Sequence, residues 1–207
     1  MIVLSTTGNI IKLMKTALFV VIALLWFAAS SGLLAESSNW YEGELAKVRL
    51  ISSVKGVGNT GELRVGLQFR MQAGWKIYWR TPGEAGFPPQ TSWKESLNLE
   101  SVEMRWPAPS RFDAFNLKML GYEDEVIFPV YLRLEQPGHE VQLRADIRYL
   151  ICKNICIPEV ANVLLTIPAG PANPSIHAAA ISKFDALVPG DGTLSGLSIH
   201  RVFATTE

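Results

Sequence analysis

The sequence predicts an all-β domain that follows an N-terminal export signal. Two patterns support this fold class: apolar and polar residues alternate along several stretches, and turn-forming Gly and Pro residues separate those stretches. The composition agrees with it, since 48% of the 207 residues are hydrophobic and 18% are charged. That is enough apolar material for a packed core and too little charge for a disordered chain. The length suits one domain and a signal.

The first 35 residues have the pattern of a secretory signal peptide. Lys12 and Lys15 precede an apolar run over 17–29, and small residues follow it up to Ala35. The run is shorter than the roughly 20 residues that a transmembrane helix needs. We therefore expect a signal-peptide helix within 1–35 and cleavage after Ala35, with an uncleaved anchor as the alternative. No later segment is apolar and long enough to suggest a membrane span.

Period-two alternation of apolar residues marks the strands of the predicted domain. It is clearest at 63–71 and at 141–149, where the apolar residues occupy the odd-numbered positions. Shorter strands are predicted at 48–52, 75–79, 99–104, 126–134 and 162–167. About seven short strands with regular turn signals, and no helical period between residues 40 and 168, predict a β-sandwich of immunoglobulin-like type.

The composition changes after Pro168. Pro and Gly residues over 169–174 predict a linker, and the residues over 175–187 predict a short helix with Ser175 as its cap. We therefore assign residues 36–168 to the sandwich, and residues 169–207 to a linker, a short helix and a C-terminal tail.

The charge and motif content exclude several function classes. Lys+Arg and Asp+Glu both number 19, so no basic excess indicates nucleic-acid binding. The sequence has no glycine-rich phosphate loop and no nucleophile-elbow spacing. The acidic residues over 123–125 predict a solvated turn, with a cation site as the alternative. Four aromatic residues predict core or rim packing, with a carbohydrate platform as the alternative: Trp75, Tyr78, Trp79 and Trp106.

Cys152 and Cys156 are the only cysteines, and in an exported protein such a pair usually forms a disulfide. In one extended strand they would stand about 13 Å apart, beyond disulfide reach, so the bond requires a turn between them. Residues 153–155 suit a three-residue hairpin loop in which Asn154 would take the left-handed conformation. Such a loop would bring the two flanking Cα atoms to about 4.5–5.5 Å.

This disulfide is either structural or redox-active, and the residues alone leave both interpretations open. A ring this small stabilises a fold by only about 2 kcal/mol in the loop-entropy model, which favours a redox role. The alternation of the preceding strand places Cys152 off the main core face, where a partner thiol could reach it, and Lys153 would favour a thiolate. Secreted cysteines are nevertheless often structural. The alternative function is thus an exported binding or scaffold module with a structural disulfide.

A metal site is the third possibility for the cysteines. Cu(I) and Zn favour thiolate ligands, but structural zinc uses four ligands. The three histidines, His139, His177 and His200, are all distant from the cysteines in sequence. We therefore expect no metal and no cofactor.

Four motifs follow one another along the chain. They are Trp-Lys-Ile-Tyr-Trp-Arg-Thr-Pro-Gly-Glu-Ala-Gly-Phe-Pro at 75–88, Trp-Pro-Ala-Pro at 106–109, Gly-Tyr-Glu-Asp-Glu at 121–125 with Pro129, and Cys-Lys-Asn-Ile-Cys-Ile-Pro-Glu at 152–159. Together they resemble the N-terminal periplasmic domain of the thiol:disulfide interchange protein DsbD, in particular its ScsB-like branch. The resemblance covers about residues 40–168.

The resemblance implies an immunoglobulin-like sandwich whose catalytic residues are Cys152 and Cys156, a redox-active pair on a local hairpin. Phe115, with Asp113 before it, falls where the family carries a loop that caps the disulfide. We expect Cys156 to be the cysteine that links to the partner, and Cys152 to resolve the mixed disulfide. The three-residue spacing between the cysteines departs from the best-known form of the family, which affects the choice of partner.

The resemblance also implies the partners. Members of the family receive electrons that originate in the cytosol and reduce thioredoxin-like periplasmic proteins such as disulfide isomerases. They continue into a membrane-embedded domain and a thioredoxin-like domain, which this sequence does not include. The expected activity is therefore that of a thiol:disulfide oxidoreductase domain in the periplasm, supplied by a membrane-embedded electron donor in trans.

Overall fold

The computed structural model describes residues 36–114 and 117–190. These residues form eleven strands and one helix: β1 Tyr41–Glu42, β2 Ala46–Ser52, β3 Glu62–Met71, β4 Lys76–Gly83, β5 Gln90–Ser92, β6 Ser101–Met104, β7 Ser110–Ala114, β8 Leu117–Glu123, β9 Glu125–Arg133, β10 Val141–Cys152, β11 Cys156–Ile167 and α1 Ala178–Asp185. The predicted signal-peptide helix and cleavage site lie outside the described residues. Within the described ranges, no helix has the length and apolar character that a membrane span requires.

The strands form two sheets. The first has the order β1-β2-β3-β9-β6, and the second has the order β11-β10-β4-β8-β7 with β5 beside β10. All the strand pairs are antiparallel. This architecture confirms the predicted all-β sandwich of immunoglobulin-like type.

The core lies between the two sheets, and the two strands with the clearest alternation both contribute fully buried side chains to it. In β3 the side chains of Val65, Leu67 and Phe69 are fully buried, and in β10 those of Leu143 and Ile147 are fully buried. Full burial of such a side chain stabilises the fold by about 1.5–3 kcal/mol. The core therefore holds the sandwich together through contacts that do not involve the cysteines.

Several predicted strands are longer in the structure, among them β4, which continues to Gly83 beyond the predicted end at residue 79. β11 begins at Cys156, six residues before the predicted start at residue 162, and β10 extends to Cys152. The hairpin of β7 and β8 was not predicted, because its Asp, Lys and Gly residues are types that strands usually disfavour. The acidic turn was predicted correctly: β8 ends at Glu123, and Asp124 has a φ of 56° before β9 begins.

The segment after residue 168 packs along the first sheet. The predicted linker bonds to the connection between β2 and β3, since the N–H of Lys55 donates to the carbonyl of Asn173 over 2.8 Å. Helix α1 is shorter than the predicted helix over residues 175–187 and begins directly after His177. The N–H of His177 donates to the hydroxyl of Ser175 over 2.9 Å. Ile181 of this helix is completely buried against the first sheet.

Candidate redox site

The two cysteines face each other at the end of a hairpin. Cys152 is the last residue of β10, Cys156 is the first residue of β11, and the two are directly paired in the antiparallel register. A disulfide joins them, and their Cα atoms are 4.1 Å apart. Residues 153–155 form the connecting loop, closed by a hydrogen bond from the Lys153 N–H to the Ile155 carbonyl over 3.0 Å. The predicted three-residue hairpin loop is confirmed.

The predicted conformation of Asn154 is wrong. Among the described residues other than glycine, a positive φ occurs at Asn98 and Asp124 and not at Asn154. The loop therefore closes without a left-handed residue. The cysteine Cα atoms also lie closer than the expected 4.5–5.5 Å.

The hairpin is held in place independently of the disulfide. Its strands pair continuously through twelve residue pairs, from Val141 opposite Ile167 to Cys152 opposite Cys156. Near the cysteines, the buried hydroxyl of Tyr149 donates to Oε2 of Glu159 over 2.6 Å. Burial, together with the Glu159 carboxylate, raises the pKa of Tyr149, so the phenol keeps the proton that it donates.

Lys153 has a different contact from the one expected. The sequence suggested this residue as a cation that would favour a thiolate, but its Nζ donates to the carbonyl of Ala73 over 3.4 Å. This contact ties the tip of the hairpin to the turn between β3 and β4.

The two cysteines differ sharply in exposure. Cys152 is 4% exposed and packs with Tyr78 and Met119 in a small cluster separate from the main core, as the alternation of β10 predicted. The expectation that a partner could reach Cys152 is wrong, because Tyr78 and Met119 lie against it on that face. Cys156 is exposed to solvent. A second protein can therefore approach the disulfide at Cys156.

Tyr78 is a site residue that the sequence reasoning assigned to packing. Its side chain is 1% exposed, and its hydroxyl lies 3.7 Å from Sγ of Cys156. Burial raises the pKa of Tyr78, so its phenol stays protonated and is the donor toward a disulfide sulfur, which carries no hydrogen. The alternation of β4 could have indicated the position of Tyr78. Ile77 points into the main core, so the next residue, Tyr78, must point to the opposite face of the sheet.

A tight loop holds the Tyr78 ring against the disulfide. Gly86 has a φ of 116°, and a Cβ at this position would stand 2.5 Å from the Tyr78 ring. The ring of Phe112, on β7, lies 6.2 Å from the Tyr78 ring between centroids. Only glycine allows the backbone to approach the phenol so closely.

The region that contains the two cysteines is similar to known proteins. A family model described as "Thiol:disulfide interchange protein DsbD, N-terminal" matches residues 48–168, which is more than half of the chain. The chain belongs to this family. A comparison with curated proteins finds no match.

Two solved structures match this chain. The N-terminal periplasmic domain of ScsB from Proteus mirabilis is 27% identical, with a TM-score of 0.61 over 74% of this chain. The match covers 60% of that ScsB domain, so the chain spans less than two thirds of its length. The reduced DsbD N-terminal domain from Neisseria meningitidis is 13% identical, with a TM-score of 0.36 over 62% of this chain and 90% of that chain.

Of the two residues predicted to cap the disulfide, the structure describes Asp113. Asp113 is exposed on β7 and lies opposite Lys118 of β8 in the register. Phe115 lies outside the described residues. On β7, the aromatic side chain of Phe112 packs against the cluster of Tyr78, Met119 and Cys152.

Within residues 36–114 and 117–190, no three His, Cys, Asp or Glu side chains are grouped as metal ligands would be, and His200 lies outside these ranges. A cavity of about 720 Å³ is lined by Arg80, Trp106 and Asp185, among others, and does not include either cysteine. The disulfide therefore lies outside this cavity, with Cys156 exposed at the surface and Cys152 buried.

Proposed function

We propose that this chain is a periplasmic thiol:disulfide exchange domain that passes electrons through the Cys152–Cys156 dithiol/disulfide to partner proteins. One observation carries the proposal: the disulfide closes only a three-residue loop and has its Cys156 side open to solvent. A bond in this position constrains little of the fold and is accessible to another thiol. Membership of the DsbD N-terminal family supports the same activity.

The stabilising effect of the disulfide is too small to account for its presence. The hairpin already pairs through its full length, and the Tyr149 hydroxyl bonds to Glu159 across it. In the loop-entropy model, closing so short a ring adds only about 2 kcal/mol. A disulfide between distant strands would constrain the unfolded chain much more. The observed position thus favours exchange chemistry over a structural role.

The exchange begins at Cys156. A partner thiolate attacks Sγ of Cys156, a mixed disulfide forms, and the Cys152–Cys156 bond breaks with Cys152 leaving as a thiolate. In this electron-accepting direction, a second thiolate of the partner then attacks the partner sulfur of the mixed disulfide and Cys156 leaves as a thiolate, so the partner is oxidised and the domain is reduced. In the electron-donating direction, the Cys156 thiolate attacks a partner disulfide, and Cys152 resolves the mixed disulfide by attacking Cys156, which releases the reduced partner. The exposure of Cys156 and the burial of Cys152 support this order.

Tyr78 assists by donating to the sulfur that becomes charged. Its protonated phenol, 3.7 Å from Sγ of Cys156, would stabilise the Cys156 thiolate in the reduced state. A hydrogen bond to a charged group stabilises it by about 1.5–3 kcal/mol, which is more than a neutral hydrogen bond provides. The hydrogen bond from Tyr78 would therefore make the Cys156 sulfur a better leaving group. It would also raise the fraction of Cys156 that is ionised and able to act as a nucleophile.

We propose that Phe115, with Asp113 beside it, shields the pair from unwanted oxidants until a partner displaces it. The support is its place in the chain: β7 ends at Ala114 and β8 begins at Leu117, and these strands carry Phe112 and Met119, which pack in the cluster around Cys152.

The proposed partners are thioredoxin-like periplasmic proteins, which accept the electrons, and a membrane-embedded donor protein that supplies them in trans. The family assignment and the similarity to the ScsB periplasmic domain support a periplasmic location for this chain. Export would use the signal peptide over residues 1–35, with cleavage after Ala35. No cofactor takes part in the proposed exchange.

The proposal is tested by trapping the mixed disulfide. Single variants Cys152→Ser and Cys156→Ser are mixed with a thioredoxin that has been activated at its attacking cysteine with a thionitrobenzoate group. Release of thionitrobenzoate and mass spectrometry report the adduct. We expect fast adduct formation through Cys156 in the Cys152→Ser variant, and an adduct at least tenfold slower in the Cys156→Ser variant. Failure of both variants to react would contradict the proposed function.

A further inference from the structure

The strand that begins at Cys156 has an open edge. β11 is the outermost strand of the second sheet, and in the described part of the chain it pairs with β10 alone. An outermost strand presents backbone N–H and C=O groups that can pair with another chain.

The register shows which of these groups point outward at the redox site. The Lys153 N–H bonds to the Ile155 carbonyl, so residues 153 and 155 exchange a hydrogen bond and the adjacent pair, Cys152 and Cys156, does not. The Cα separation of 4.1 Å fits a non-hydrogen-bonded pair, which is typically about 4.5 Å, rather than the 5.5 Å of a hydrogen-bonded pair. The N–H and C=O of Cys156 therefore point away from β10, toward the open edge.

Pro158 limits how far this edge can extend. It lies opposite Leu150, two positions after the cysteine pair, and so occupies the next non-hydrogen-bonded position. A proline here removes no hydrogen bond between β10 and β11, because the missing N–H would have pointed outward. The open edge beside the disulfide thus has one complete donor and acceptor pair, at Cys156, followed by a position that has no donor.

We propose that the redox partner binds by pairing a short extended segment with the outer edge of β11 at Cys156, and that Pro158 ends this pairing. This inference rests on the proposed function. The occupant is an extended segment of the partner protein that carries its reactive cysteine, held by backbone hydrogen bonds to the N–H and C=O of Cys156. In such a pair the facing Cα atoms are about 5.5 Å apart, a separation that suits an intermolecular disulfide. The exposed side chain of Ile155 adds apolar contact next to it.

The chemical step balances without a further reactant. The thiolate of the bound segment forms a new S–S bond with Cys156, the Cys152–Cys156 bond breaks, and Cys152 leaves as a thiolate that takes a proton from water. The number of disulfides is unchanged. The backbone pairing makes no new covalent bond and acts by holding the attacking thiol near Sγ of Cys156.

A pair of cysteine peptides tests the inference on the oxidised full chain. The probes are acetyl-Thr-Val-Cys-Val-Thr-amide and the same peptide with a methyl group on the cysteine nitrogen, which removes its donor to Cys156. Each exchange rate is divided by the rate of the same peptide with glutathione disulfide, so that intrinsic thiol reactivity cancels. We expect the methylated peptide to react about fivefold more slowly, in line with the loss of one hydrogen bond. Equal normalised rates would overturn the inference.

A protein variant provides an independent arm. Pro158→Ala restores an outward N–H, so we expect it to accelerate exchange with the unmethylated peptide about threefold and to leave exchange with 2-mercaptoethanol unchanged. Pro137→Ala, in an exposed turn outside the hairpin, serves as the control and should change neither rate. A Pro158→Ala variant with an unchanged peptide rate would contradict the pairing. A disulfide that exchanges with no thiol, including 2-mercaptoethanol, would overturn the proposed function and the pairing with it.

Discussion

The hydroxyl of Tyr78 lies 3.7 Å from Sγ of Cys156, so a buried phenol faces the more exposed sulfur of the pair. The two cysteines consequently have different surroundings: Cys152 is packed against apolar side chains, and Cys156 has solvent on one side and a hydrogen-bond donor on the other. This asymmetry assigns the two sulfurs different roles in the proposed exchange.

Removing the Tyr78 hydroxyl should weaken the thiolate of Cys156. In Cys152→Ser protein, which retains one thiol, the further change Tyr78→Phe should lower the ionised fraction of Cys156 at pH 7 about tenfold, because a hydrogen bond to a charged group is lost. Thiolate absorbance at 240 nm across a pH titration measures this fraction. Tyr131→Phe is the matched control, since that hydroxyl bonds to Asp185. Identical titrations in all three proteins would rule out the phenol as a donor.

Gly86→Ala should disturb the packing of the Tyr78 ring. The added Cβ would meet the ring at 2.5 Å and the backbone has a φ of 116°, so we expect a loss of about 1–3 kcal/mol in unfolding free energy. Displacement of the ring should also speed reduction of the disulfide by dithiothreitol. Gly138→Ala carries a similar backbone penalty, with a φ of 82°, and its added Cβ would meet Asn59 instead. If both variants are reduced at the wild-type rate, the ring does not shield the disulfide.

Reducing the disulfide should leave the fold intact. Urea unfolding of the oxidised and the reduced protein should differ by about 2 kcal/mol, because the bond closes a very short loop and the sandwich core lies elsewhere. Far-ultraviolet circular dichroism should be the same in both states before unfolding. A difference above about 4 kcal/mol, the scale expected for a loop of many tens of residues, would identify the bond as a structural staple.

His177 should make stability depend on pH. Burial lowers the pKa of His177 from its usual 6.5, with repulsion from Arg49 acting in the same direction and attraction to Glu36 opposing it. The folded protein then binds fewer protons than the unfolded chain, so the His177 contribution is fully present above pH 6.5 and is lost as the pH falls through the folded pKa. The melting temperature should fall between pH 7.5 and 5.0, and His177→Gln should reduce that slope. His139→Gln, at an exposed turn position, is the control, and an equal effect of the two variants would contradict the prediction.

Ile181 should anchor the C-terminal segment to the sandwich. This side chain is completely buried, so Ile181→Ala should lower the unfolding free energy by about 2–5 kcal/mol through lost burial and a cavity. Ile176→Ala removes the same atoms from a side chain that is 79% exposed and should have little effect. Urea unfolding measures both. Equal, small effects would mean that the helix contributes little to the stability of the sandwich.

The sequence was sufficient to predict the parts of this site that depend on the residue pattern within a single hairpin. The alternation through β10 and the requirement for a turn between the cysteines were enough to predict a hairpin disulfide off the main core face. The parts that depend on neighbouring strands were not predictable in this way. Cys152 is buried because β4 and β8 bring Tyr78 and Met119 against it, and both are more than thirty residues away in sequence. The early start of β11 was missed because residues 150–157 do not alternate and Pro158 is unfavourable in most strands.

The equilibrium midpoint potential of the purified domain tests the central claim most directly. The protein is equilibrated in buffers with graded ratios of oxidised and reduced dithiothreitol or glutathione, and the fraction of free Cys152 and Cys156 thiols is measured after alkylation. A redox-active pair predicts a midpoint above about −300 mV and rapid reduction by a thioredoxin-like protein. A midpoint below about −300 mV, with no reduction by such a protein, would contradict the account.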